Sequence, residues 1–346
     1  MLLTPVALPD RPRLRLPALH RAADVLQFGA GPSDALVVDG LTPPLARMVE
    51  ALDGTRPPAR VLADAVAAGA SPAAARDLLE HLHAAGLLAA AAVPPSGRRV
   101  VVRGGGRIAV SVACLLATAG VGRVLVEAGG TVSRDDLGTG LLPDDVGRPA
   151  DRAAQEAVAR AGASAPGPPA SRRWLSARAD LVVLADGARP DPSAAQRLVL
   201  DGRAHLPVAA LDGTGTVGPL VVPGATPCLR CDDLVRADAD DAWARVAAEL
   251  VGRRDPVPVA LAAATAALAV GEVLAVLDDG APASRGAVVT LAPDGARRVR
   301  PVRRHPDCGC RALARRRGRV TGGAEVTPGT TVLVRGTPGS TTAGAA

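Results

Sequence analysis

The chain has 346 residues, with Gly 38, Pro 31, Trp 2, Phe 1 and Tyr 0, and it contains no Lys, no Asn and a single Ile, Ile108. Residues with AT-rich codons are nearly absent, so the net charge of +6 comes from arginines alone; they are interleaved with acids, and few aromatics are present to stack on bases, which excludes a nucleic-acid binder as the first reading. At 48% hydrophobic and 21% charged, the composition is that of a globular protein of roughly two domains, not a collagen-like or wholly disordered chain.

The N-terminus shows no charged start, apolar core and cleavage site, so a cytoplasmic protein is expected. After a polar Pro/Arg opening (Pro9 to Pro17), Asp24 to Phe28 and Ala35 to Val38 predict two strands joined by a Gly/Pro/Ser turn. From Pro43 the period becomes helical. Leu45, Met48, Val49 and Leu52 share a face that Asp53-Gly54 terminates. Arg60 to Ala68 predicts a second helix, and Ser71-Pro72, an N-cap followed by proline, opens a third carrying Leu78, Leu79, Leu82 and Leu87. A hairpin with three helices in residues 1–90 is a small winged-helix-like α+β domain. Its third helix mixes Arg76, His81 and His83 with Asp77 and Glu80, so it is no basic recognition face, and peptide docking fits better.

Residues 91–98 form an Ala/Pro/Gly linker. Strand Arg99 to Val102, the turn Gly104-Gly105-Gly106, helix Ile108 to Ala119 and strand Arg123 to Val126 then make a βαβ unit. A helical stretch from Arg148 to Ala161 and strands Leu181 to Leu184 and Val208 to Leu211 extend it. The expected fold is α/β, a Rossmann-like doubly wound parallel sheet spanning residues 99–320. Val257 to Leu277 is long and apolar, but Glu272 within it and Pro256 and Pro258 before it predict a buried helix rather than a membrane span. Residues 321–346, rich in Gly, Thr, Pro and Ala, are expected to be a flexible tail, with Thr331 to Val334 as the one segment suited to an edge strand.

Two constellations carry chemistry. Gly104-Gly105-Gly106-Arg107-Ile108-Ala109 has the form G-x-G-x-x-G/A between strand and helix, where glycines let the backbone approach a phosphate held by helix amides. A glycine turn used only for packing has the same form. Glu127 ends the next strand, where an acid accepts hydrogen bonds from a ribose or is merely solvated. With no lysine, phosphate charge could fall only to an arginine, Arg107 and Arg148 being nearest in sequence, and Asp186 is the candidate Mg²⁺ ligand or an exposed loop acid. The second constellation is Cys228-Leu229-Arg230-Cys231 with Cys308-Gly309-Cys310, two knuckles able to present four thiolates to one Zn²⁺. A redox disulfide or free thiols are the alternatives. Four filled positions make the metal structural. His305 is an alternative ligand, although a role in the turn beside the knuckle is the preferred reading, and Cys114 is read most simply as a buried small residue.

The glycine turn, the acidic strand end, Val217-Gly218-Pro219-Leu220-Val221-Val222-Pro223-Gly224 leading into Pro227-Cys228-Leu229-Arg230-Cys231, and the late cysteine pair together resemble the ThiF/MoeB superfamily of ubiquitin-activating-like adenylyltransferases over about residues 97 to 312. The resemblance implies ATP with Mg²⁺ bound through Gly104, Gly106, Arg107 and Glu127, a structural zinc, and homodimerisation. This sequence departs from it in the nucleotide half. Arg107 and Val110 stand where active members continue with Gly and Ser, Asp136-Leu137-Gly138-Thr139-Gly140 lacks the family's Asn and Arg, and Ala150 replaces its phosphate lysine. In an arginine-rich chain the missing arginine is not a codon effect, so no catalytic residue is assigned unless Asp186 serves adenylation. Cys228-Leu229-Arg230-Cys231-Asp232-Asp233-Leu234-Val235-Arg236, Ala242-Trp243, Ala247-Ala248-Glu249-Leu250 and His305-Pro306-Asp307-Cys308-Gly309-Cys310 look like ThiF-like proteins of thiazole/oxazole-modified peptide biosynthesis. That narrower resemblance implies a non-catalytic cyclodehydratase partner. Its PqqD-like N-terminal unit would bind the leader of a ribosomal precursor peptide for a YcaO-type enzyme, the leader adding as a strand.

Overall fold

The computed structural model describes residues 8–31, 35–90, 95–162, 179–278 and 280–310. The expected tail 321–346 and strand Thr331 to Val334 lie outside them. The chain divides into two compact units, Met1–Pro94 and Pro95–Ala346.

In the first unit, β1 (Pro12–Leu14) pairs antiparallel with β5 (Leu88–Ala90), while β2 (Ala18–Ala22), β3 (Val25–Phe28) and β4 (Leu36–Val38) form an antiparallel sheet in that order. The polar opening therefore contains a strand: β1 has only three residues, Pro12 buried and Arg13 exposed, and β2 just beyond it is largely exposed, so neither carries enough apolar alternation to mark it. Helices α1 (Pro43–Glu50), α2 (Pro58–Ala67) and α3 (Pro72–Ala84) each begin with proline in the first turn, where a missing N–H costs nothing. Ser71 is the N-cap of α3 by backbone geometry, although its side chain makes no capping bond. Leu26, Phe28, Val49, Leu52, Leu79 and Leu82 are buried at the centre of this unit.

The second unit is a seven-stranded sheet ordered β12-β11-β10-β9-β8-β6-β7. Strands β6 (Arg99–Arg103), β7 (Arg123–Glu127), β8 (Leu181–Leu184) and β9 (His205–Leu211) are parallel, and β10 (Thr214–Val217), β11 (Ala287–Leu291) and β12 (Arg297–Pro301) continue the sheet antiparallel. The sheet is thus mixed where an all-parallel one was expected. The cause is local: Asp212-Gly213 joins β9 to β10 with φ of 51° and 73°, the conformation of a two-residue hairpin turn.

Strand side chains alternate between two covered faces. Val100, Val102, Leu181 and Val183 pack with α4 (Arg107–Thr118), α5 (Ala150–Ala161) and α9 (Val259–Leu277), while Val101, Val182 and Leu184 pack with Ala195 and Leu198 of α6 (Pro192–Leu200). Helices α7 (Leu229–Ala239) and α8 (Trp243–Leu250) follow on the α6 side. By length and composition α9 alone among the described helices could cross a membrane. It packs against α4, β9 and β10 through Ala262, Ala266, Ala269 and Val273. Glu272 is buried there, its carboxylate accepting from the Ser284 amide at 2.7 Å and pairing with Arg297 at 3.2 Å.

Candidate functional site

The four knuckle cysteines converge. Cys228 is the N-cap of α7 and Cys231 lies in its first turn, its amide bonding to the Cys228 carbonyl at 3.0 Å, so both sulfurs sit at a helix N-terminus that favours anions. Cys308 and Cys310 arrive on the segment after β12. Sulfur separations are 3.8 Å (Cys228–Cys231), 3.6 Å (Cys228–Cys308) and 3.5 Å (Cys231–Cys310), and all four ligand atoms lie within 4.8 Å of one another. A tetrahedral zinc with Zn–S bonds of about 2.3 Å places its sulfurs about 3.8 Å apart, whereas a disulfide needs about 2.0 Å. All four thiols are free and buried, so the cluster is compatible with a structural zinc.

Electrostatics support a cation. The hydrogen bond shared with Cys231, and burial, push the Cys228 thiol above its ordinary value, and burial pushes Cys310 up to about 11. Cys231 is held down, to about 4, by the Cys228 hydrogen bond and by the backbone amides of His305 and Cys228. The Cys231 thiolate is stabilised by these groups, and a cation among the sulfurs would favour ionisation of Cys228 and Cys310.

Three ties fix the second knuckle to the first. Arg300 of β12 holds Asp232 of α7 through two bonds of 2.7 and 3.0 Å, Arg304 donates to the Gly224 carbonyl at 2.9 Å, and His305 bonds Asp238 of α7 at 2.8 Å. Because the Asp307 amide donates to Nδ1 of His305 at 3.2 Å, the ring proton is on Nε2. His305 is therefore outside the ligand set.

The glycine turn is also formed. Gly104 has φ +125°, and a Cβ there would lie 2.2 Å from the Ala185 carbonyl oxygen, so the turn accepts only glycine beside the end of β8. Gly106 is the N-cap of α4. With Arg107, it lines a cavity of about 390 Å³ together with Asp135, Asp136, Arg253, Arg254 and Asp255. Three acids thus face three arginines. Arg107 is committed to the carbonyls of Leu137 and Val257, and Arg253 to Asp255 at 2.8 Å. Arg148 is elsewhere, bonded to Asp145 at 2.5 Å and Glu156 at 2.7 Å. Glu127, its side chain 7% exposed, pairs with Arg103 at 2.8 Å. Asp186 lies between the lining residues Ala185 and Gly187; burial pushes its carboxyl above the usual carboxylate range, and its Oδ1 has no hydrogen-bond partner. Asp135 and the Arg253-Arg254-Asp255 run were not singled out from sequence, and Asp136 entered there only as the first residue of the segment that lacks the family's Asn and Arg. The charged run before the proline start of α9 was the available signal.

No protein-family model and no curated protein sequence matches the chain. Solved structures do. Escherichia coli MccB in its structure with MccA-N7isoASN superposes with a TM-score of 0.62 at 15% identity, covering 87% of this chain and 99% of that one. MccB with AMPCPP and MccA gives 0.63 at 15% identity, again covering 87% and 99%. The microcin C7 biosynthetic enzyme MccB in complex with N-formylated MccA gives 0.61 at 15%, with the same coverage. The small N-terminal α+β unit and the mixed seven-stranded sheet therefore make an MccB-like fold, in which this chain carries a buried four-cysteine cluster.

Proposed function

We propose that this chain is a zinc-stabilised ThiF-like protein that binds the leader of a ribosomal precursor peptide and presents it to a YcaO-type cyclodehydratase in the cytoplasm, without adenylating the peptide itself. The observation that carries the non-catalytic part is the glycine-turn cavity. Its acids balance its arginines, and Arg107, at the head of α4, is bonded to backbone carbonyls, so the net positive charge that a triphosphate needs is missing. Peptide binding is supported by the first unit, where β2 and β4 are the edges of the three-stranded sheet and expose Leu19, Leu36 and Val37, an arrangement suited to strand addition. MccB, which shares the fold, has been solved with N-formylated MccA.

Pyrophosphate exchange with ATP tests the first part: exchange at background level is expected, and robust exchange overturns it. For the second, fluorescence polarisation with a labelled leader should give saturable binding that Val37→Lys weakens by about tenfold or more. Equal affinity of the two proteins removes the edge from the reading. A second reading, ATP-dependent adenylation, is favoured by Asp186, whose buried and unpartnered Oδ1 beside the cavity wall suits Mg²⁺. Calorimetric titration of ATP·Mg²⁺ into the chain and into Asp186→Asn decides it, because only this reading expects binding that the variant loses.

A further inference from the structure

The outer edge of the seven-stranded sheet is open. Strand β12 pairs on one side with β11, and among the described residues nothing pairs with its other side. Val302 donates to the Gly286 carbonyl at 2.8 Å and Ala292 to the Ala296 carbonyl at 2.9 Å, and both pairs continue the ladder that sets Val288 opposite Arg300 and Thr290 opposite Arg298. Hydrogen-bonded pairs alternate along an antiparallel ladder, so Arg298 and Arg300 bond to β11 while Arg297, Val299 and Pro301 direct their backbone groups outward. Pro301, which has no N–H, stands at a position that gives no bond to β11. All five residues are exposed, and Val299, at 52%, holds an apolar side chain beside an open N–H and C=O.

Charge selects what can pair there. Arg297 to Arg304 contains five arginines and no acid. Arg300 and Arg297 reach Asp232 and Glu272, but Arg298 meets only the exposed Asp294, at 3.5 Å, and Arg303 is exposed with no ion pair to a described residue. A second copy of β12 laid antiparallel about Val299 would set Arg298 opposite Arg300, and like charges so placed repel. An extended peptide alternating acidic and apolar residues fits instead. With an apolar side chain opposite Val299, its acids fall opposite Arg298 and Arg300 on the other face, because side chains alternate at each residue.

We propose that β12 docks an extended acidic segment of another protein by strand addition, the backbone of Arg297 and Val299 supplying hydrogen bonds and the side chains of Arg298 and Arg300 selecting for acid. The site lies in the second unit and does not rest on the leader reading. Its probe is a fluorescein-labelled Glu-Val-Glu-Val-Glu peptide, compared with Glu-Pro-Glu-Pro-Glu, which keeps the charge and lacks the pairing N–H groups, and with Lys-Val-Lys-Val-Lys. Fluorescence polarisation with the full-length chain should show saturable binding of the first peptide, with the other two weaker by about tenfold or more. Val299→Pro removes an outward N–H and breaks no bond to β11, so it should abolish binding while the circular dichroism spectrum stays that of the parent chain. Arg298→Glu, at the exposed surface, should weaken the acidic peptide about tenfold and strengthen the lysine peptide. Equal affinity for the proline peptide would reduce the effect to charge attraction and overturn the proposal, as would no saturable binding. Two results overturn it by giving the edge another occupant: a dimer in sedimentation velocity that Val299→Pro dissolves, or peptide binding that appears only when residues 321–346 are removed.

Discussion

His305 shows how one residue outside a ligand set can hold it together. Only 5% exposed, it anchors the second knuckle to α7 through Asp238. Replacing it by Ala should weaken zinc binding by about 10–100-fold in chelator competition. The cobalt-substituted protein should keep its four-thiolate visible spectrum, which a lost nitrogen ligand would change. His205 makes a second prediction. Burial holds its pKa down at about 4, against 6.5 for a free imidazole. Above pH 6.5 the ring is neutral in both folded and unfolded chains and contributes no pH dependence. As the pH falls from 6.5 to about 4, the unfolded chain takes up a proton that the folded chain refuses, so stability declines by up to about 3 kcal/mol. Below about 4 both states are protonated and the slope ends. In His205→Phe this part of the urea-midpoint slope against pH should vanish. Gly104→Ala would force a Cβ to 2.2 Å from the Ala185 oxygen at a positive φ. A loss of about 3 kcal/mol or more is expected in equilibrium unfolding.

At the scale of elements, the helix with the most membrane-like composition carries one buried acid. Glu272 in α9 satisfies the buried Ser284 amide and meets Arg297, which ties the helix to the loop before β11 and to β12. Glu272→Leu leaves that amide unsatisfied and should cost about 1–3 kcal/mol, whereas Glu272→Gln, which keeps an acceptor, should cost less. Urea midpoints of the two variants check the order. Pro258 and Glu272 made this reading accessible from sequence alone. The antiparallel half of the sheet was equally accessible, because Asp212-Gly213 between apolar runs is a strong hairpin signal, but the regular βαβ pattern upstream directed the expectation to parallel strands. β1 and β2 were not accessible, since β1 is too short and β2 too exposed to show a period, and both are defined by pairing partners, in the case of β1 by Leu88–Ala90 more than seventy residues away.

For the whole molecule, the apolar clusters fall within the two units, and the cysteine cluster packs with Val199 and Val221 of the second. Removing the metal with a thiol-specific mercurial should release about one zinc per chain. Hydrogen exchange should then accelerate in α7 and around Arg300–Cys310 and remain slow in α1–α3. Acceleration throughout the chain, or no zinc released, would contradict a site that stabilises the second unit alone. The sequence by itself determined the two cysteine knuckles, the glycine turn and the α/β class, because knuckle spacing, φ > 0 turns and hydrophobic period are local properties. Only the tertiary structure decided what the glycine turn faces and which buried polar groups are left without a partner. Arg107 is spent on a carbonyl 150 residues away, Asp135 and Asp136 turn toward the same cavity, and His205 and Arg189 each keep a buried nitrogen without a partner among the described residues. Charge balance and hydrogen-bond satisfaction are properties of neighbours in space, and those neighbours are set by folding rather than by position along the chain.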